Sequence, residues 1–162
     1  MSMIFEMFSI PNDTAQEVLA TPTNIHELLN SLDDSSEALS LEKSWHGLHY
    51  ILTGDPVQGD PPLNFLLVGG AEVGDEDIGY GPARIFDPIS VANIDNALTK
   101  FSETDLDARF DPAAMSVAEI YPNIWHEPRD SLRGEYAGYL ETLKTYVRRT
   151  ADLGQALLIT LR

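Results

Sequence analysis

The chain has 162 residues, of which 26 are acidic and 10 are Lys or Arg, and its formal net charge is −16. Because cysteine is absent, disulfides, zinc–thiolate sites, iron–sulfur clusters and a cysteine nucleophile are excluded. The length favours a single domain over residues 1–162, and the 43% hydrophobic content excludes a disordered acidic tail.

The first half of the chain predicts one strand and a series of helices. Residues 3–10 are rich in β-forming side chains, and Pro11 ends this strand. Helical spacing of apolar residues and helix-capping residues predict helices over residues 12–20, 25–32 and 41–52. Asn12 or Asp13 is expected to cap the first of these helices, and Ser40 the third.

The helix over residues 41–52 has the clearest pattern. One stripe along it is apolar and predicts a core face; it consists of Leu41, Trp45, Leu48 and Leu52. A second stripe is polar and consists of Glu42, His46, His49 and Thr53. Gly54 is expected to end the helix.

The second half predicts a loop over residues 55–62, a short apolar helix over 63–68, and a mobile glycine-rich segment over 69–81. Downstream elements are a strand over residues 82–86, a helix from Ser90 to Lys100, short helices within 102–120, a long helix from Asp130 or Ser131 to about Ala151, and a strand over 156–161.

Few strands with helices between them indicate an α+β fold in one compact domain. We expect the two terminal strands to pair in a small mixed or antiparallel sheet. Several helices should pack on it, and the long C-terminal helix should lie across one face.

The polar stripe could support proton transfer, since Glu42, His46 and His49 would share one helix face and histidine titrates near neutral pH. The alternative is a structural stripe whose imidazoles are bonded to the backbone. The His-x-x-His spacing lacks the His-Glu-x-x-His pattern of metalloprotease helices, so no metal is expected.

Two other features bear on ligands. The glycines at positions 69, 70 and 74 do not match a nucleotide-binding fingerprint, so no cofactor is expected and the segment is interpreted as a solvated loop. Arg84 is one of four basic residues before residue 129, and its guanidinium could hold a carboxylate of the protein or of a ligand.

Charge is unevenly distributed along the chain. Residues 1–128 contain 22 acidic and 4 basic side chains, whereas residues 129–162 contain 4 and 6. Such an acidic body repels nucleic acid and anionic membranes and attracts cationic proteins. Neither a targeting segment nor a membrane span is recognisable, so a cytoplasmic location is expected.

Several motifs resemble the YfbM-like family of bacterial proteins. They are the Trp-His-x-Leu-His block at residues 45–49 with the Leu-Thr-Gly that follows, Gly79 to Arg84, Ile120 to Pro122, and the closing helix and strand. The resemblance implies a small cytosolic α+β domain of unknown function, without established catalytic residues. Its recurring polar and aromatic positions are Trp45, His46, His49, Tyr80, Arg84 and Tyr121.

Two hypotheses on function follow. The first is a binding or interaction module, in one version an immunity-like protein that engages a basic partner. The second is a small-molecule hydrolase or transferase with His46 or His49 as general base, in which Arg84 holds an anionic substrate. Trp45, Tyr80, Arg84 and Tyr121 are the candidate ligand contacts.

Overall fold

The computed structural model describes residues 2–35 and 37–162. Within them the elements in chain order are β1 (Phe5–Ile10), α1 (Asn12–Ala20), α2 (Ile25–Asp33), β2 (Leu39–Glu42), α3 (Trp45–Thr53), β3 (Ala71–Glu72), β4 (Arg84–Phe86), α4 (Pro88–Lys100), α5 (Glu103–Arg109), α6 (Pro112–Val117), α7 (Arg129–Asp152) and β5 (Ala156–Leu161).

The strands form one antiparallel sheet in the order β2-β1-β5-β4-β3. The two terminal strands pair over their full length, from Phe5 opposite Leu161 to Ile10 opposite Ala156. This pairing and the α+β architecture confirm the predicted fold.

Helices cover both faces of the sheet because β1 and β5 carry apolar side chains in both directions. Met7 and Ile159 pack on one face with residues of α3 to α7. Phe8 and Leu158 pack on the other face with residues of α1 and α2. The long helix α7 lies on the first face, as the sequence predicts, and its buried side includes Tyr136.

The prediction of a helix over residues 41–52 is wrong in its first turn. Residues 39–42 form edge strand β2, and α3 begins only at Trp45. Leu41 is buried, as the apolar stripe predicts, but it lies on strand β2 and not on a helix. Ser40 does not cap a helix. Its hydroxyl accepts a hydrogen bond from the N–H of Glu42, the last residue of β2, which has a φ of 47°.

Residues 63–68 form turns rather than the predicted helix. The carbonyls of Phe65, Leu66 and Gly69 accept hydrogen bonds from Arg84, which holds the segment in an irregular course. The glycine-rich segment contains the unpredicted short strand β3.

Helix starts also differ from the predictions. Asp87, not Ser90, caps α4, because its carboxylate accepts from the Ser90 N–H. Neither α1 nor α7 has a side-chain cap; each follows a proline, Pro11 and Pro128. None of the helices in the described part of the chain combines the length and hydropathy that crossing a bilayer needs.

Candidate functional site

A cleft of about 580 Å³ opens between the first turn of α3 and strand β4. We call it the α3–β4 cleft. Its lining residues are Trp45, His46, Pro56, Val57, Gln58, Leu67, Val68, Gly69, Gly70, Glu72, Arg84 and Leu161. Most of this surface is apolar. Its polar side chains come from four separate segments of the chain: His46, Gln58, Glu72 and Arg84.

Trp45 closes one end of the cleft and is 6% exposed, as the apolar stripe predicts. Its indole N–H donates to the carbonyl of Met3 over 3.1 Å. The ring stacks on His46 with centroids 5.1 Å apart, and Tyr121 lies against its other side at 5.8 Å. Trp45 therefore anchors the start of α3 in the core and exposes little surface to the cleft.

Both ring nitrogens of His46 are hydrogen-bonded. Nδ1 accepts from the N–H of Tyr121 at 2.9 Å, so it carries no proton. Nε2 lies 2.8 Å from the Pro56 carbonyl and must donate to it. Burial lowers the pKa of His46, opposed by this carbonyl. The ring is thus a neutral link between three segments, with no lone pair free to take a proton.

His49 lies one turn further along α3 and is completely buried. Among the described residues, neither of its ring nitrogens has a hydrogen-bond partner. Burial lowers the pKa of His49 to about 4; the Gln58 backbone opposes this shift by proximity, although it does not meet hydrogen-bond geometry. The imidazole is therefore uncharged at neutral pH and has no partner for its one donor and one acceptor.

Arg84 contacts backbone rather than a carboxylate. Its two terminal nitrogens donate to the carbonyls of Phe65, Leu66 and Gly69, at 2.6 to 3.2 Å. The guanidinium also lies 5.7 Å from the centroid of Phe86. Desolvation lowers the pKa of Arg84 to about 10, and nearby Glu72 opposes the shift.

Among the described residues no carboxylate oxygen lies within 4 Å of the Arg84 nitrogens, so a protein carboxylate as its partner is a wrong expectation. Four of the five N–H groups are already directed at carbonyls. Arg84 therefore shapes the cleft wall and contributes charge rather than a free bidentate fork.

The other predicted site residues are placed apart. Glu42 lies on β2, exposed, so the predicted four-residue polar stripe does not exist. Tyr80 is 40% exposed, and its N–H donates to the carbonyl of Leu161 at the end of β5. Tyr121 packs behind Trp45. Trp45, His46 and Arg84 line one cleft, and His49 lies behind its wall.

Sequence reasoning missed the two backbone segments that complete the cleft, 56–58 and 67–70. The glycine pair at its rim was the available signal: Gly69 and Gly70 have φ of 89° and 77°, a region that favours glycine. A Cβ on Gly70 would also lie 2.9 Å from the Ile85 carbonyl oxygen.

The described residues contain no group of three His, Asp or Glu side chains placed to hold a metal ion. The cleft lining includes neither a serine nor a threonine that could act as a nucleophile beside His46. The arrangement is an open cleft that could hold a molecule of moderate size.

Comparisons with known proteins agree with this fold. The family model for a domain of unknown function, DUF1877, matches residues 1–160. The crystal structure of YfbM, a protein of unknown function from Escherichia coli, superposes with a TM-score of 0.75 at 24% identity, covering 100% of both chains. No curated protein matches the sequence.

Proposed function

This chain belongs to the DUF1877 family, a domain of unknown function, and we propose that it is a binding module whose small-molecule ligand occupies the α3–β4 cleft. The observation that carries the proposal is the cleft itself. Its volume of about 580 Å³ falls in the range of roughly 300–1,000 Å³ typical of ligand pockets. Its mainly apolar lining with a few convergent polar groups is also typical of such pockets.

Binding has more support than catalysis. A general base needs a free lone pair within reach of the substrate, and His46 has none. His49 has free nitrogens but no surface in contact with solvent. The hydrolase or transferase hypothesis stays a prediction, and it would require His46 to release Tyr121 or Pro56.

The charges around the cleft favour an uncharged ligand over the anionic one first considered. Arg84 has already directed its terminal N–H groups at carbonyls, and Glu72 lies on the same wall. The net charge of −16 further disfavours the approach of an anion.

The test compares two tryptophan variants. Val57 is 59% exposed at the cleft rim, so Val57→Trp should fill the mouth without disturbing the core. Val117 is 87% exposed on α6, outside the cleft lining, and Val117→Trp is the matched control. Fragments found by protein-observed NMR should bind wild type and the control but not Val57→Trp. Equal binding to all three proteins would place the site elsewhere.

A basic protein partner is a second candidate, and surface charge supports it. In the described part of the chain seven of the 26 acidic residues lie within 4 Å of a cationic side chain, counting His26 as one. Nineteen therefore remain to attract a cationic surface. An immunity-like role would be one form of this interaction.

Affinity capture at low and high salt tests this candidate. Charge steering predicts a basic partner that is recovered at low salt and lost well above about 0.1 M, where the Debye length falls below roughly 10 Å. An acidic partner, or one unaffected by salt, would mean that the charge serves solubility alone.

A further inference from the structure

We propose that His49 is a buried anchor of this same cleft, where an uncharged hydroxyl or carboxamide group of the ligand makes the hydrogen bonds that the imidazole otherwise lacks. The inference rests on the proposed binding function and specifies the chemical class of the ligand. It starts from His49, which among the described residues is a buried side chain with two ring nitrogens and no hydrogen-bond partner for either.

The environment of His49 is exceptional. Side-chain polar atoms that are fully buried nearly always have a hydrogen-bond partner, and an exception calls for an explanation. Here both ring nitrogens lack one while the residue is 0% exposed. His46, on the same helix, has a partner on each nitrogen. A fully buried and unsatisfied imidazole one turn from His46, which lines the cleft, is the observation from which we infer a ligand contact.

His49 lies next to the cleft without reaching it. The groups that face its ring electrostatically are His46, Asp55, the Gln58 backbone and Arg84. His46, Gln58 and Arg84 also line the cleft. Residues 55–58 therefore lie close to both the imidazole and the cavity.

This turn is held by its own contacts and by α3, where Thr53 Oγ1 donates to the carbonyl of Asp55 and accepts from its N–H. The Asp55 carboxylate accepts from the N–H groups of Val57 and Gln58, at 2.8 and 2.7 Å. Gly54 and Gly59 flank it with φ of 75° and 100°. Its link to α3 includes the bond between His46 and Pro56. In the proposed complex the turn is displaced as a unit, so that the ligand meets the His49 ring.

The hydrogen-bonding capacity of His49 selects the chemistry. A neutral imidazole offers one N–H donor and one acceptor nitrogen, so a ligand group that both donates and accepts satisfies it best. Hydroxyl and carboxamide groups do both. A carboxylate only accepts, and an ammonium only donates and would meet the positive charge of Arg84.

The experiment uses four benzene derivatives that differ in one group: benzamide, benzyl alcohol, benzoate and benzylamine. Binding to the full chain is followed by NMR of the backbone and of ¹⁵N-labelled histidine rings. We expect benzamide and benzyl alcohol to shift the ring signals of His49. Their affinity should fall about ten-fold in His49→Leu, the equivalent of one hydrogen bond. His26→Leu, an exposed histidine on α2, should leave binding unchanged.

The outcomes separate this inference from the function on which it rests. Fragments that shift Val57 and Leu67 but not the His49 ring, and bind His49→Leu as tightly as wild type, would overturn the anchor and leave the cleft proposal standing. Preference for benzoate or benzylamine would overturn the ligand class. No shift in any cleft residue with any of the four would overturn both. If His49→Leu does not fold, the ring shifts in wild type decide.

Discussion

His46 and His49 share one helix and differ in their hydrogen bonds. The half-buried His46 has a backbone partner on each ring nitrogen, whereas the fully buried His49 has none among the described residues. A buried polar group without partners destabilises the native state, whereas a satisfied one is close to neutral or favourable. His46 and His49, three positions apart, therefore allow the stability effects of a satisfied and an unsatisfied imidazole to be compared.

We expect His49→Leu to raise the free energy of unfolding by about 1–3 kcal/mol, because it removes unsatisfied polar atoms from the core. His46→Leu should lower it by a similar amount, because the Tyr121 N–H and the Pro56 carbonyl lose their partner. Urea unfolding at pH 7 measures both. A loss of stability in His49→Leu would mean that packing of the imidazole outweighs its desolvation.

The same residue predicts a dependence of stability on pH. The folded-state pKa of His49, about 4, lies below the ordinary histidine pKa of about 6.5, so the unfolded chain binds more protons between these values. Stability should therefore fall as pH decreases from about 6.5 to 4. His49→Leu should lack this component.

Urea unfolding of both proteins at pH 7 and pH 4 isolates this component from the carboxylates, which they share. The gap between His49→Leu and wild type should widen by up to about 3 kcal/mol at pH 4. A gap that stays constant with pH would show that His49 titrates normally, with solvent access in the folded state.

Helices α3 and α7 meet at a position that tolerates no side chain. A Cβ on Gly47 of α3 would lie 2.5 Å from Cε1 of Tyr136, and Tyr136 is itself fully buried. Glycine here is required by close approach of the helices, although it is a poor helix former. The contact fixes how α3, and with it the cleft, is placed on the long helix.

Gly47→Ala should destabilise the protein by about 1–3 kcal/mol, because overpacking outweighs the gain in helix propensity. Gly138→Ala on α7 is the control: nothing lies within 4 Å of an added Cβ, so it should stabilise by about 0.5–1 kcal/mol. Thermal and urea unfolding measure both. A Gly47→Ala protein as stable as wild type would show that Tyr136 can shift.

Helix α7 was predictable because its helical periodicity extends over many residues, and strand β5 because it is a nearly continuous run of apolar residues. The strand β2 was not, because Leu41 is buried in either conformation and four residues cannot distinguish the two periods. Pairing with β1 determines that residues 39–42 form a strand. This pairing places Leu39 opposite Met7, and the two residues are distant in sequence.

The site was predictable in its side chains and not in its backbone. The sequence identifies Trp45, His46 and Arg84 as candidates, and the structure places them in one cleft. Carbonyls have no sequence signature, however, so the partners of Arg84 and the Pro56 acceptor of His46 could not be inferred. Burial of His49 depends on the turn that covers it, whose course is set by tertiary contacts.

The acidic surface should itself limit the stability of the folded state. Nineteen acidic residues have no cationic side chain within 4 Å among the described residues, so folding brings like charges together. Salt screens this repulsion, since the Debye length falls from about 30 Å at 0.01 M to about 3 Å at 1 M.

We therefore expect Tm to rise by several degrees as NaCl is increased from about 0.01 to 0.5 M. Calorimetry measures the shift, and KCl should reproduce it if screening rather than specific ion binding is the cause. A Tm that falls with salt would show that ion pairs such as Arg148 with Asp95 outweigh the repulsion.

The central pairing of β1 with β5 also governs how the molecule assembles. Phe5 and Leu161 are neighbours in the sheet although about 156 positions separate them along the chain. Closing so long a loop loses much chain entropy before any sheet hydrogen bond is gained. Proteins dominated by such distant contacts reach the native state slowly. Folding should therefore begin with contacts between elements that are closer along the chain, such as α4 and α7. Strand β5 should then pair with β1 and β4 in a late, cooperative step.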